Sequence, residues 1–187
     1  MESDKEARIL EAARSVFFRY GFRRVTMGDI AEASGISRPA LYLIFPNKEV
    51  IFEAVARQVS ADALAEIRAG IGGLRSLRER LDRAFEIWAV RPFEWMQASP
   101  DARDLTDCTL GFAEAATRER YAAFERALAA IIEPAIADPA ALDPPLADLV
   151  HMLAVAVRGF KTTARDAAEL RQLIGGLLSV TLAALNL

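Results

Sequence analysis

The stretch Thr26–Lys48, TMGDIAEASGISRPALYLIFPNK, decides how the chain is read. Thr26 is a good N-cap, and Asp29 stands three residues on, in the capping-box position that opens a short helix through Ala33. Ser34-Gly35-Ile36 predicts a tight turn, because Gly35 can take a left-handed backbone at no steric cost. Ser37 caps the next helix, and Pro39 is tolerated in its first turn, where no internal N–H donor is lost. That helix runs to about Phe45. Pro46-Asn47 then breaks it, and Asn47 caps a longer helix starting at Lys48. Ile30, Ala31, Ile36 and Leu41 supply the apolar contacts between the two short helices, and small Ala31 and Ala40 allow close approach. Two short helices joined by a Gly-containing turn are the geometry that sets one helix into the major groove of DNA.

Upstream, Ile9, Leu10, Ala13, Val16, Phe17 and Tyr20 recur at helical spacing, so Lys5 to Tyr20 reads as an amphipathic helix that Gly21 stops. Downstream, the long helix is expected to reach about Ala69, ending at Gly70 and the Gly72-Gly73 pair. Another helix is predicted from about Leu74 to Val90, broken by Pro92, and Ser99-Pro100-Asp101 has the form of a further helix start. Tyr121, Phe124, Leu128, Ile131 and Ile132 mark a helix that Pro134 kinks or ends. A loop between Asp138-Pro139 and Pro144-Pro145 precedes two closing helices, about Leu146 to Arg165 and Ala167 to Leu185. Strand-like alternation and internal repeats are absent. The expectation is an all-α fold of about nine helices, with a helix-turn-helix domain over 1–47 and a larger helical domain over 48–187.

Composition narrows the functional classes. Hydrophobic residues make up 53% of the 187 and charged residues 26%, a globular balance. The charged opening Met1-Glu-Ser-Asp-Lys-Glu, with no apolar run behind it, predicts no signal peptide. The longest charge-free stretch, Gln172 to Leu187, is shorter than the ~20 apolar residues of a membrane span. A single cysteine, Cys108, cannot form an internal disulfide. These features predict a cytoplasmic protein with no membrane partner. The net charge of −3 is unevenly spread: Met1 to Ser60 carry nine Lys/Arg against eight Asp/Glu, and the acidic excess lies in the rest. Attraction to DNA follows the face presented rather than the sum.

Enzyme chemistry has little to stand on: one His, one Cys, no Gly-rich phosphate loop and no nucleophile elbow. Asp101, Asp104, Asp107, Cys108 and His151 lack metal-ligand spacing, so no metal or other cofactor is expected, and the acids suit a helix N-terminus.

The residues from Ile9 to Phe52, about 45 of 187, resemble the N-terminal signature of the TetR/AcrR family of bacterial regulators, while the rest of the chain matches only in length and helical pattern. The resemblance implies a homodimeric repressor of nine or ten helices, which releases its double-stranded DNA operator when a small molecule occupies the C-terminal domain. It implies that Thr26 and Ser37 grip phosphates at helix starts and that Tyr42 and Lys48 contact phosphates. Arg38, with Pro39 beside it near the head of the recognition helix, either forks onto a guanine or meets a phosphate. The guanine contact is worth about 1–3 kcal/mol of discrimination. Leu43 and Ile44 depart from the family, which often has an aromatic, His or polar residue there; they either meet a thymine methyl or pack. Gly28 offers only backbone, so few direct base contacts and more dependence on DNA shape are expected.

The last helix carries a broad apolar stripe from Leu170 to Leu185, and the helix before it is apolar almost all round from Leu149 to Val157. A helix hydrophobic on every side is buried on every side, which predicts a homodimer through about residues 146–185, the alternative being a purely internal hairpin. Among the aromatics further upstream, Trp88, Trp95 and Phe112 lead as lining of an effector pocket for an apolar or aromatic molecule, the alternative being ordinary core. A second reading is a helix-turn-helix DNA-binding protein without a small-molecule effector, regulated by a partner protein.

Overall fold

The computed structural model describes residues 2–98, 105, 114–138 and 142–185. Among the described residues there are nine α-helices and no strand: α1 (Glu2–Tyr20), α2 (Met27–Ser34), α3 (Arg38–Tyr42), α4 (Lys48–Ile71), α5 (Leu77–Phe85), α6 (Arg91–Ala98), α7 (Glu114–Ile132), α8 (Leu146–Thr163) and α9 (Ala167–Ala184). The chain divides into two compact units, Met1–Ser60 with Met96–Arg118, and Ala61–Trp95 with Glu119–Leu187.

In the first unit, the α1 residues Ile9, Ala13 and Phe17 fall at i, i+4 and i+8 and are buried against Ile30 and Ala31 of α2 and Leu41 of α3. Ile51 and Val55 belong to the same core, so the first half of α4 is built into the helix-turn-helix unit. Rings close its edge: Phe22 lies 5.8 Å from Phe17 and 5.0 Å from Phe52, with Phe17 and Phe52 edge to face at 5.5 Å. Gly21, at φ 78°, ends α1 with its N–H on the Phe17 carbonyl.

The second unit has its own core, in which Phe85, Trp88, Phe124, Leu128, Leu153, Leu170 and Leu178 are buried together. Its rim is charged. Arg171 of α9 grips Glu86 with two hydrogen bonds, at 2.8 and 3.0 Å, and reaches Glu94 of α6 at 2.9 Å. Arg91 and Arg83 meet Glu66 of α4 at 2.6 and 3.4 Å.

The expected break at Pro92 does not occur. α5 passes through a π turn, Glu86–Val90, into α6, and Pro92 is the second residue of α6. In a regular helix the proline ring would clash with the carbonyl four residues back. Here the Arg91 N–H reaches five residues back, to the Glu86 carbonyl, and this wider turn sits just where the proline needs the space. α4 runs through Gly70 to Ile71 and ends at the Gly72-Gly73 pair, within two residues of the expected stop. The helix starts expected at Ser99–Asp101 lie outside the described residues.

Candidate nucleic-acid interface

The helix-turn-helix is held by local polar bonds that the sequence specifies one by one. Thr26 and Asp29 form a reciprocal capping box: the Thr26 N–H and hydroxyl both donate to Asp29 Oδ2 at 2.8 Å, and the Asp29 N–H donates to Thr26 Oγ1 at 3.3 Å. These bonds hold the Asp29 carboxyl below its ordinary value, the Thr26 N–H being the largest cause. Gly35 sits at φ 68°, and the Ile36 N–H closes the turn on the Ala31 carbonyl at 3.0 Å. Ser34 is buried with its hydroxyl on the Ile30 carbonyl, and Arg8 of α1 donates to the Ser34 carbonyl at 3.2 Å. Ser37 Oγ accepts the Ala40 N–H at 3.3 Å and caps α3, with Pro39 in its first turn.

The sequence-expected residues have unequal freedom. Ser37, Arg38, Pro39 and Tyr42 are exposed together on α3, while Leu41 and Phe45 turn inward to the core. Accepting the cap bond leaves the Ser37 hydroxyl proton able to donate outward. Thr26 is exposed too, but its hydroxyl proton goes to Asp29. A phosphate at the head of α2 would instead meet the first-turn N–H groups, which have no helical acceptor. Lys48 turns inward: its Nζ donates to the carbonyls of Phe22 and Val25 at 2.9 Å each, and of Arg23 at 3.5 Å. The same ammonium lies 4.4 Å from the centre of the Phe22 ring. Nothing in the family signature announced this bond.

A solvent-open groove of about 500 Å³ runs between α1 and α2, lined by Val16, Tyr20, Arg24, Val25, Asp29, Glu32 and Ala33. It belongs to the helix-turn-helix unit, and its two carboxylates suit an anion poorly.

In the second unit, Trp88 is 4% exposed and stacked on Phe124, with ring centres 4.4 Å apart and planes 3° from parallel. Tyr121 meets it edge on at 6.4 Å, and the Arg120 guanidinium lies 4.8 Å from the ring. Trp95 is half-buried on α6. Phe112 lies outside the described residues, as do Asp101, Asp104, Asp107 and Cys108. His151 is exposed on α8, with Nδ1 2.9 Å from Glu125 Oε1. No helix among the described residues is long and apolar enough to cross a membrane.

A capped helix, a glycine turn and a second capped helix, packed on α1 and the first half of α4, define a helix-turn-helix protein. Residues 9–55 match the family model "Bacterial regulatory proteins, tetR family". The chain is 35% identical over 103 residues to the uncharacterised HTH-type transcriptional regulator YfiR of Bacillus subtilis, a match that takes in 55% of this chain and 45% of that protein. It thus spans less than half the length of that relative. The fold is similar to a Saccharomonospora viridis transcriptional regulator solved with choline (TM-score 0.73, 22% identity, 95% of this chain and 96% of that one). It is also similar to Thermus thermophilus FadR, a TetR-family repressor solved with lauroyl-CoA (TM-score 0.61, 25% identity, 92% and 93% covered). Together these similarities support a regulator of the TetR/AcrR family, a family of DNA-binding transcription regulators rather than of enzymes.

Proposed function

We propose that the chain is a homodimeric repressor that holds its operator through α3 and releases it when a small apolar or aromatic molecule occupies the helical domain. The observation that carries the DNA reading is the outward face of α3, where Ser37, Arg38, Pro39 and Tyr42 are exposed side by side on a helix anchored from behind by Leu41. On this reading the helix-turn-helix unit, which takes in the first half of α4 beyond the expected boundary at residue 47, docks on DNA, the other helical unit dimerises and holds the effector, and the protein works in the cytoplasm. Arg38 supplies the charge and the fork for a guanine or a phosphate. Ser37 and Tyr42 supply hydroxyl donors to the backbone, and Thr26 sets the head of α2. Lys48 acts on DNA indirectly, by fixing the loop that leads into Thr26.

The dimer reading is supported by the apolar residues that α8 and α9 leave uncovered: Met152 at 57% exposure, Val155 at 52% and Val180 at 71%. Gly176 faces open space on α9, which allows close approach of a second copy's helix. The choline and lauroyl-CoA of the two structural relatives support a small-molecule effector. Trp95 and Phe112 remain the proposed lining, whereas Trp88, 4% exposed and stacked on Phe124, takes the alternative role of ordinary core. The enclosure of Trp88 by Phe124 and Arg120 favours the second reading, a DNA-binding regulator governed by a partner protein with no small effector.

A gel-shift titration against the DNA flanking the protein's own gene tests the DNA reading. A salt-sensitive, sequence-specific band that disappears in the Arg38→Ala, Tyr42→Ala double variant is expected. A wild-type protein that gives no such band overturns it. Thermal shifts across lipophilic compounds separate the two regulatory readings, since only the effector reading predicts a rise.

A further inference from the structure

α3 and the turn that follows it carry two apolar stripes. Leu41, Ile44 and Phe45 point into the core, Leu41 and Phe45 being fully buried and Ile44 packed against them. Pro39, Tyr42 and Leu43, also at i, i+3 and i+4, are exposed. The Leu43 N–H bonds to the Pro39 carbonyl at 3.2 Å, so helical geometry persists to Leu43 and sets it on the same face as Pro39. At 88% exposure Leu43 is the most open large hydrophobic among the described residues. Its side chain therefore contributes almost nothing to the fold.

A single exposed leucine on a protein surface needs no explanation. Leu43 differs in its register: it extends an apolar face on the helix that the DNA reading sets into the major groove. Leucine has no donor or acceptor for the polar edges of the bases. Those edges carry one apolar group in the major groove, the C5 methyl of thymine. Ile44, the neighbouring departure from the family pattern, is half-buried against the core, so Leu43 is the more open of the two.

We propose that Leu43 is a specificity-determining residue that selects thymine by covering its C5 methyl, one thymine in each half-site. The inference rests on the DNA reading given under Proposed function. It makes sequence choice depend on apolar contact beside the fork of Arg38, rather than on a row of polar base readers.

The test uses a duplex selected from random sequence by the full-length protein. Each thymine is replaced singly by deoxyuridine, which keeps every hydrogen bond and removes only the methyl. Wild type should lose about three- to fivefold in affinity at one position per half-site, the effect of about one buried methyl group. Leu43→Ala, whose circular dichroism should be unchanged because the side chain is exposed, should bind the thymine duplex with a similar loss. It should show no further loss with deoxyuridine at that position. The inference is overturned if no thymine is sensitive in wild type, or if the same thymine is equally sensitive in Leu43→Ala. A Leu43→Ala protein that alters only the oligomeric state also overturns it, by assigning the residue to a protein partner. If no sequence-specific duplex is recovered at all, the DNA reading itself fails.

Discussion

Lys48 Nζ lies 2.9 Å from the carbonyl oxygen of Val25, the residue just before the Thr26 cap, and so ties the start of α4 to the start of α2. With its bonds to Phe22 and Arg23, this one ammonium closes the loop between α1 and α2. Lys48→Met keeps the apolar stem and removes the donors. The expected result is a loss of about 1–2 kcal/mol in urea unfolding, together with weaker DNA binding. A lysine that only touched phosphate would lower DNA affinity and leave the unfolding midpoint unchanged.

The capping box gives the helix-turn-helix an acid-sensitive element. The bonds from Thr26 hold the Asp29 carboxyl below its ordinary 3.8 in the folded protein. The unfolded chain therefore takes up that proton at higher pH than the folded one does. The contribution is complete above the unfolded value and is lost as pH falls through the lower folded value. Asp29→Asn should be less stable than wild type at neutral pH, and the gap should narrow as pH drops below about 3.8. Urea midpoints measured across that range check this, and a gap that stays constant to the acid limit contradicts it.

Val155 and Val180 stand open on the last two helices. Introducing a charge there, as Val155→Asp or Val180→Asp, should convert a dimer to monomer while leaving helical content intact. Sedimentation velocity reads this directly. A variant that sediments with wild type would remove α8 and α9 from the interface.

Trp88 is stacked on Phe124 inside the second core, and truncating it leaves a large void. Trp88→Ala should cost about 3–5 kcal/mol in chemical denaturation. A cost well below this range would mean that the ring borders open space, as the lining of a pocket does.

Much of the DNA-facing half was legible in the sequence because its instructions are local. Thr26 with Asp29, Gly35, and Ser37 with Pro39 each fix a cap or turn through neighbours a few residues away, and each stands where the sequence put it. Pro92 was misread because a proline alone signals a break, whereas the π turn before it, closed by the Arg91 N–H on the Glu86 carbonyl, has no residue pattern of its own in the sequence. The inward turn of Lys48 could not be read either, since its carbonyl partners lie more than twenty positions earlier in the chain. The same holds for Leu43 and Ile44, adjacent residues of similar chemistry with opposite fates. Only the helical phase of α3 against its support separates the exposed one from the packed one.

The most direct measurement of the central claim is a hydroxyl-radical footprint of the full-length protein on a duplex it selects. Two α3 helices related by a two-fold axis should protect two half-sites, about one helical turn apart or a multiple of it, and Arg38→Ala should erase the pattern. A selected duplex protected at one half-site only, or a footprint unchanged in Arg38→Ala, would contradict the account.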